Sequence, residues 1–278
     1  MKPLAAATIS PMSDTREAVS VILPVPDPSH PIVVEWQTYL KASGREWELL
    51  TPPPSAAGYG ATLRAALETA RHPLVLITAS DYPYTPADLG RLLEKIDTPS
   101  EIPDPVSGEW RMRTPDLVLG CRTGVPVPPV PRLIGATYRG FCRVVLGMPL
   151  APLPGWYGFR EHLRAWWAKV VYGVPAHDPH CGFKLFRRTF LDRFPIQCDG
   201  DLVHIELVAK ATFLTCLMDE VPLTPKPDRI PYARWSRPDR RTLFHRPKFR
   251  NPPEPPVNLR NISDCAVGQL VLIYRLNQ

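Results

Sequence analysis

The feature that most restricts what this chain can fold into is an alternation. Short apolar runs, too short for helices, are separated by stretches whose apolar residues recur at helical spacing. "VSVILP" (19–24) reads as a buried strand stopped by proline, "WELLT" (47–51) as a second strand and "LVLIT" (74–78) as a third. Between the second and third, "GYGATLRAALETARH" sets Leu63, Ala66, Leu67 and Ala70 on one helical stripe. Thr85, Pro86 and Asp88 then supply a cap, a first-turn proline and an early acid, followed by Leu89, Leu92, Leu93 and Ile96 on a second stripe. The order continues with "DLVLGCR" (116–122) as strand, "ATYRGFCRVVLG" as helix, "GFKLFRR" as strand, "DLVHIELVAKATFL" as helix and "LMDEVPLTP" (217–225) as a closing strand. Strand-helix alternation predicts an α/β fold, a mostly parallel sheet flanked by helices, whose ligands bind beyond the carboxyl ends of the strands.

Composition divides the chain. Its 278 residues, 44% of them hydrophobic, suffice for one large core. The 36 prolines exceed the usual share of about 5% and cluster in loops, including 52–54, 126–131 and 252–256. Between Lys226 and Arg250 lie nine Lys or Arg against two Asp, so the net charge of +6 belongs to this segment rather than to the body. The expected organisation is a loose leader over 1–17, a domain over 18–226, and a basic Pro-rich C-terminal extension over 227–278 ending in a short helix that carries Val267, Leu270, Val271 and Tyr274. The extension is either a solvated tail or a contact for anionic lipid or phosphate. It lacks the interleaved aromatics of a single-strand binder, which argues against nucleic acid. Six scattered cysteines without C-x-x-C, and no apolar run near the roughly 20 residues that span a bilayer, predict reduced thiols in a cytoplasmic protein, peripheral at most to the membrane face.

Three stretches can carry chemistry. "LVLITASDYPYTP" delivers Asp81 just past a buried strand, either as the acid of a turn or as a site acid at the sheet's carboxyl edge. On the helix after Asp201, Glu206 falls within the stripe of Leu202, Ile205, Ala209 and Phe213. A carboxylate there needs a partner, either structural or in a cleft. His204 lies off the stripe and is expected at the surface. "HDPHCGFKLFRR" (177–188) presents Asp178 between His177 and His180 at the mouth of a strand, but this span supplies no distant third ligand for zinc.

In order and spacing, "VSVILPVPD", "GYGATLRAAL", "LVLITASDYPYTP", "DLVLGCR", "HDPHCGFKLFRR", "VHIELVAKA" and "EVPLTPK" resemble the GT-A fold family 2 glycosyltransferases, in particular the dolichyl-phosphate mannose synthase-like branch, over residues 19–226. The resemblance implies a GT-A, Rossmann-like fold and an inverting transfer from a nucleotide-sugar donor to a polyprenyl-phosphate or hydroxyl acceptor. It implies that Pro26, Asp27, Asp81 and Glu206 bind donor and that Asp81 holds a divalent metal, Mg or Mn. Asp178 and Arg122 would be catalytic, with Asp178 the base for a hydroxyl acceptor, and Arg132 and Arg139 would meet the acceptor phosphate. A polyprenyl phosphate, largely ionised at neutral pH, would need no strong base.

The sequence also departs from that family. Ala79 stands where the family has the first acid of its D-x-D, "TPPPS" replaces the acidic end of the second strand, and Tyr59 replaces the lysine between the two glycines. These departures define the alternative expectation, a nucleotide-sugar-binding module of the same fold with impaired catalysis.

Overall fold

The computed structural model describes residues 16–25, 27–78, 84–103, 110–123, 167–168, 173–226 and 248–250. Over these the chain forms β1 (Val19–Ile22), α1 (Pro31–Ala42), β2 (Trp47–Leu50), α2 (Tyr59–Thr69), β3 (Leu74–Ile77) and α3 (Pro86–Asp97). Then come β4 (Ser100–Pro103), β5 (Trp110–Arg113), β6 (Leu117–Arg122), β7 (Lys184–Arg187), α4 (Arg188–Leu191), α5 (Val203–Phe213) and β8 (Met218–Leu223). Six strands make one sheet in the order β2-β1-β3-β7-β6-β8, and β4 pairs with β5 apart from it. Every pairing in the large sheet is parallel except the two made by β7, which runs against β3 and β6. The expected α/β class with a mostly parallel, helix-flanked sheet is therefore observed.

The reversal of β7 matters for the site. Five strands deliver their carboxyl ends to one edge, and β7 begins at that same edge. Arg122 at the end of β6, Thr78 just after β3 and Asp178 just before β7 thus arrive together, although 100 residues of chain separate Thr78 from Asp178.

Apolar residues are buried on both faces of the sheet, as expected of a parallel arrangement covered by helices. On one face, Ile32, Trp36 and Leu40 of α1 and Leu89, Leu92 and Ile96 of α3 pack on Val21, Leu76 and Leu185. On the other, Leu63 and Ala66 of α2 and Ile205 and Val208 of α5 pack on Ile22, Val75 and Phe186. Each large side chain fully withdrawn from water contributes about 1.5–3 kcal/mol, so the two layers hold the sheet rigid beneath the loops of its edge.

Helix α3 starts as its sequence predicts, with Thr85 N donating to Asp88 Oδ2 at 2.9 Å. Helix α1 was not anticipated, though its signal is present: His30 Nδ1 accepts from Ile32 N at 3.2 Å, Pro31 opens the first turn, and Trp36 and Leu40 follow at spacing four. The β4–β5 ribbon was also unanticipated, because "WRMR" is exposed along its whole length and has no buried face to betray it. The expected strand "GFKLFRR" is shorter than its sequence suggests, and Arg188 already begins α4.

The expected helices at "ATYRGFCRVVLG" and at the C-terminal end, and the leader up to residue 15, lie outside the described residues. Of the extension, Lys248–Arg250 return to the body: Lys248 N donates to Gln197 Oε1 at 2.6 Å, Arg250 N donates to Arg193 O at 2.8 Å, and Phe249 stacks on Phe213. Cys121, Cys181, Cys198 and Cys216 are free thiols, and no described helix is long and apolar enough to cross a membrane.

Candidate functional site

The carboxyl edge is organised around one ion pair. Arg122 closes β6 and is 1% exposed; Asp178, in the loop entering β7, is 3% exposed. Asp178 Oδ2 accepts from Arg122 Nε at 2.6 Å and from its backbone N at 3.0 Å, while Oδ1 accepts from Nη2 at 2.7 Å. Desolvation alone would raise the carboxyl pKa; the adjoining guanidinium charge and its hydrogen bonds outweigh it and hold Asp178 below the ordinary value.

Two further residues fix the loop that carries Asp178. Glu220 of β8 accepts from His177 N at 2.9 Å and from Asp178 N at 3.4 Å, and pairs with His177 Nδ1. Lys184, the first residue of β7, turns back beneath the loop and donates Nζ to Pro179 O at 3.1 Å and to Cys181 O. Neither residue was singled out from sequence. Both sit in strands whose alternation reads as packing, and only the antiparallel placement of β7 brings them under one loop.

The environment is cationic. Lys184 is fully buried, and desolvation brings its pKa down to about 8. His204, expected at the surface, is instead 7% exposed, and burial followed by the charges of Lys184, His180 and Arg122 holds its imidazole neutral at ordinary pH. The physical reason is that the start of α5 is enclosed all round: residues 203–208 are buried without exception, so the helix has no solvent face there. The His204 ring lies 5.0 Å from that of Tyr59, whose hydroxyl donates to Thr78 O at the end of β3. Tyr59, Thr78, His204, Lys184, Arg122 and Asp178 thereby belong to one edge.

Glu206 does not join them. Its Oε1 accepts from Gln197 N at 2.8 Å and Lys210 Nζ at 2.6 Å, and its Oε2 accepts from Cys198 N at 2.9 Å. Its carboxylate holds the segment before α5, and its hydrogen-bond partners are separate from those of Asp178. The structural partner, one of the two open readings for Glu206, is the one observed. The segment it holds in turn closes on the start of α2, where a Cβ at Gly58 (φ 126°) would stand 2.5 Å from Asp199 O, and one at Gly60 would overlap Cys198 O. Only glycine permits this approach.

Asp27 is exposed, and its carboxylate accepts from Ser29 N at 2.9 Å and Ser29 Oγ at 2.6 Å, so it closes the turn between β1 and α1. Pro26, Asp81, Arg132 and Arg139 lie outside the described residues. The described residues do not fit a divalent-metal site by themselves: no group of three His, Cys, Asp or Glu side chains is assembled among them, Asp178 is saturated by Arg122, and His204 stands among positive charges.

No protein-family model matches the sequence, and no curated protein matches it. Among solved structures the chain is similar to mannosyl-3-phosphoglycerate synthase from Rubrobacter xylanophilus, at 14% identity over 82% of this chain and 71% of the other, with a TM-score of 0.45. It is also similar to glucosyl-3-phosphoglycerate synthase from Mycobacterium tuberculosis, at 16% identity over 75% and 72% of the two chains and a TM-score of 0.40. The same enzyme in complex with Mn2+, UDP-glucose and phosphoglyceric acid covers 81% of this chain and 74% of its own, at 16% identity and a TM-score of 0.40. Likeness at this level assigns no residue a role, and the site's chemistry rests on the groups described above.

Proposed function

We propose that this chain is a GT-A-type glycosyltransferase that binds the diphosphate of a nucleotide-sugar donor at the carboxyl edge of its sheet and transfers the sugar with inversion. The single observation that carries this reading is the surplus of buried cationic groups around Asp178. Arg122 and Lys184 meet one fully buried acid there, which leaves a local positive charge that a diphosphate would balance. The order of motifs along residues 19–226 agrees with it. In the transfer, positive charge fixed before the donor arrives stabilises the negative charge that grows on the departing diphosphate.

The role of Asp178 is refined. All its hydrogen bonds to Arg122 must loosen before it can take a proton, and its lowered pKa makes it a weak base. An acceptor that brings its own negative charge suits such a site better than a neutral hydroxyl, which favours a phosphate-bearing acceptor; a polyprenyl phosphate, as in the dolichyl-phosphate mannose synthase-like branch, is the acceptor we assign. Asp178 then acts by holding Arg122 in place. A metal, if one is bound, would be held by Asp81 with the donor's own phosphates, and would supply further neutralisation of the leaving group.

A second reading, a donor-binding module with impaired turnover, is favoured by Ala79 at the first acid of the D-x-D and by Tyr59, whose hydroxyl is committed to Thr78 O where the family has a lysine. Thermal-shift screening of UDP- and GDP-sugars with and without manganese, followed by a radiolabelled transfer assay, separates the two. Binding with turnover is the expected result, binding without turnover selects the module, and no binding of any donor refutes both.

A further inference from the structure

A cavity of about 260 Å³ opens between α2 and α4, at the end of the sheet away from the Arg122–Asp178 edge. Its position follows from Arg188, whose backbone N donates to Pro73 O at 2.7 Å, just ahead of β3, whereas Thr78 and the candidate donor site lie past the other end of that strand. Three guanidinium-bearing residues line it: Arg64 from α2, Arg188 from α4 and Arg250 from the returning extension. Glu68 and Asp192 also line it, leaving a formal charge of +1, and Leu67, Val75, Leu191 and Phe194 give an apolar wall.

The three arginines are not equivalent. Arg64 is committed to the protein, donating to Ile196 O at 2.7 Å and pairing with Asp199. Arg250 is anchored through its backbone to Arg193 O. Arg188 is different: its Nη1 is buried and has no hydrogen-bond partner, and among the described residues it forms no ion pair. A buried guanidinium N–H without an acceptor is unfavourable, and a charged acceptor placed against it gains more than a neutral hydrogen bond would. Arg188, half-buried as a residue, thus brings an unsatisfied donor to the wall of a cavity with an apolar side and net positive charge.

We propose that this cavity is a second ligand site, separate from the donor edge, that binds a small organic anion: a phosphate monoester or carboxylate carried on a compact apolar body. The anionic group meets Arg188 with Arg250 alongside, and the body rests on Phe194 and Leu191. The volume lies below the roughly 300–1,000 Å³ of pockets for drug-sized ligands, so a single ring or short chain fills it. This site does not depend on the glycosyltransferase reading and stands or falls separately.

The probe is phenyl phosphate, titrated calorimetrically into the full chain beside inorganic phosphate. Phenyl phosphate is expected to bind with a Kd below about 1 mM and more tightly than inorganic phosphate, and Arg188→Gln is expected to weaken it by about tenfold or more. Lys184→Met, at the other edge, should leave that affinity unchanged. Should Arg188→Gln fail to fold, hydrogen exchange on the wild-type chain serves instead, with protection by phenyl phosphate expected over residues 188–196 and 248–250. Equal affinity of Arg188→Gln and wild type, protection confined to residues 117–123 and 177–184, or inorganic phosphate binding as tightly as phenyl phosphate would each overturn the proposal.

Discussion

Arg122 and Asp178, separated by 56 residues, form a bidentate ion pair that is buried on both sides, with Nε–Oδ2 at 2.6 Å and Nη2–Oδ1 at 2.7 Å. The pair joins the end of β6 to the loop entering β7, so the geometry of the carboxyl edge depends on it. Asp178→Asn keeps the shape but leaves the guanidinium buried without a counter-charge. It is expected to lower unfolding free energy by about 3–5 kcal/mol in urea titrations. Because the folded pKa of Asp178 is lowered, its contribution is complete above the ordinary carboxyl value of 3.8 and is lost as pH falls below it. The wild-type advantage over Asp178→Asn should therefore shrink only in that acid range.

Lys184 gives the opposite signature. Its pKa is pulled from 10.5 to about 8 by burial, so below pH 8 the folded chain carries the full cost of a buried ammonium. Between 8 and 10.5 the unfolded chain binds the extra proton and stability rises with pH. Comparing wild type with Lys184→Met cancels the other groups that titrate there. The difference between the two stability curves should slope upward from about pH 8, where the chain with lysine gains on the variant.

The same lysine reports on ligand. A diphosphate brought to the edge restores the charged form and raises the Lys184 pKa, so donor binding near pH 8 should take up a proton. Calorimetric titrations in buffers of different ionisation enthalpy measure this directly, and Lys184→Met should reduce the uptake. Binding with no proton exchange in either protein would mean that the donor's charge lies elsewhere.

Glu206 and Lys210 test the support of the edge rather than its chemistry. Glu206→Gln removes the charge that Lys210 Nζ meets at 2.6 Å and, with the amide oxygen kept at Lys210, replaces the carboxylate oxygen that accepts from Cys198 N with an NH2 donor. A loss of about 3 kcal/mol is expected, and a double-mutant cycle with Lys210→Met should return a coupling of about 1–3 kcal/mol, since the two act as one unit. Gly60→Ala, whose added Cβ would overlap the backbone O of Cys198 in the segment that Glu206 holds, should be at least as damaging, because backbone on both sides prevents relaxation.

Much of the framework was legible in the sequence because each element declares itself locally. The capping residues of α3 and the apolar runs of β1, β3 and β6 need no tertiary information to be recognised. The site was legible only in part. Asp178 and Arg122 were named through the family resemblance, but their pairing with each other required knowing that β7 lies between β3 and β6. Glu206 was correctly seen to need a partner, yet a stripe pattern cannot say whether the partner is a ligand or the backbone of the preceding loop. His204 was misread because helical periodicity assumes one wet face, and the start of α5 has none. Glu220 and Lys184 were missed because, taken singly, they look like ordinary strand residues.

The most direct test of the central claim is hydrogen exchange on the full chain with and without the nucleotide sugar selected by the donor screen. Slowed exchange over residues 117–123 and 177–184, with residues 188–196 unchanged, is the predicted result. Protection absent from the carboxyl edge, at a donor concentration that saturates binding, would contradict it.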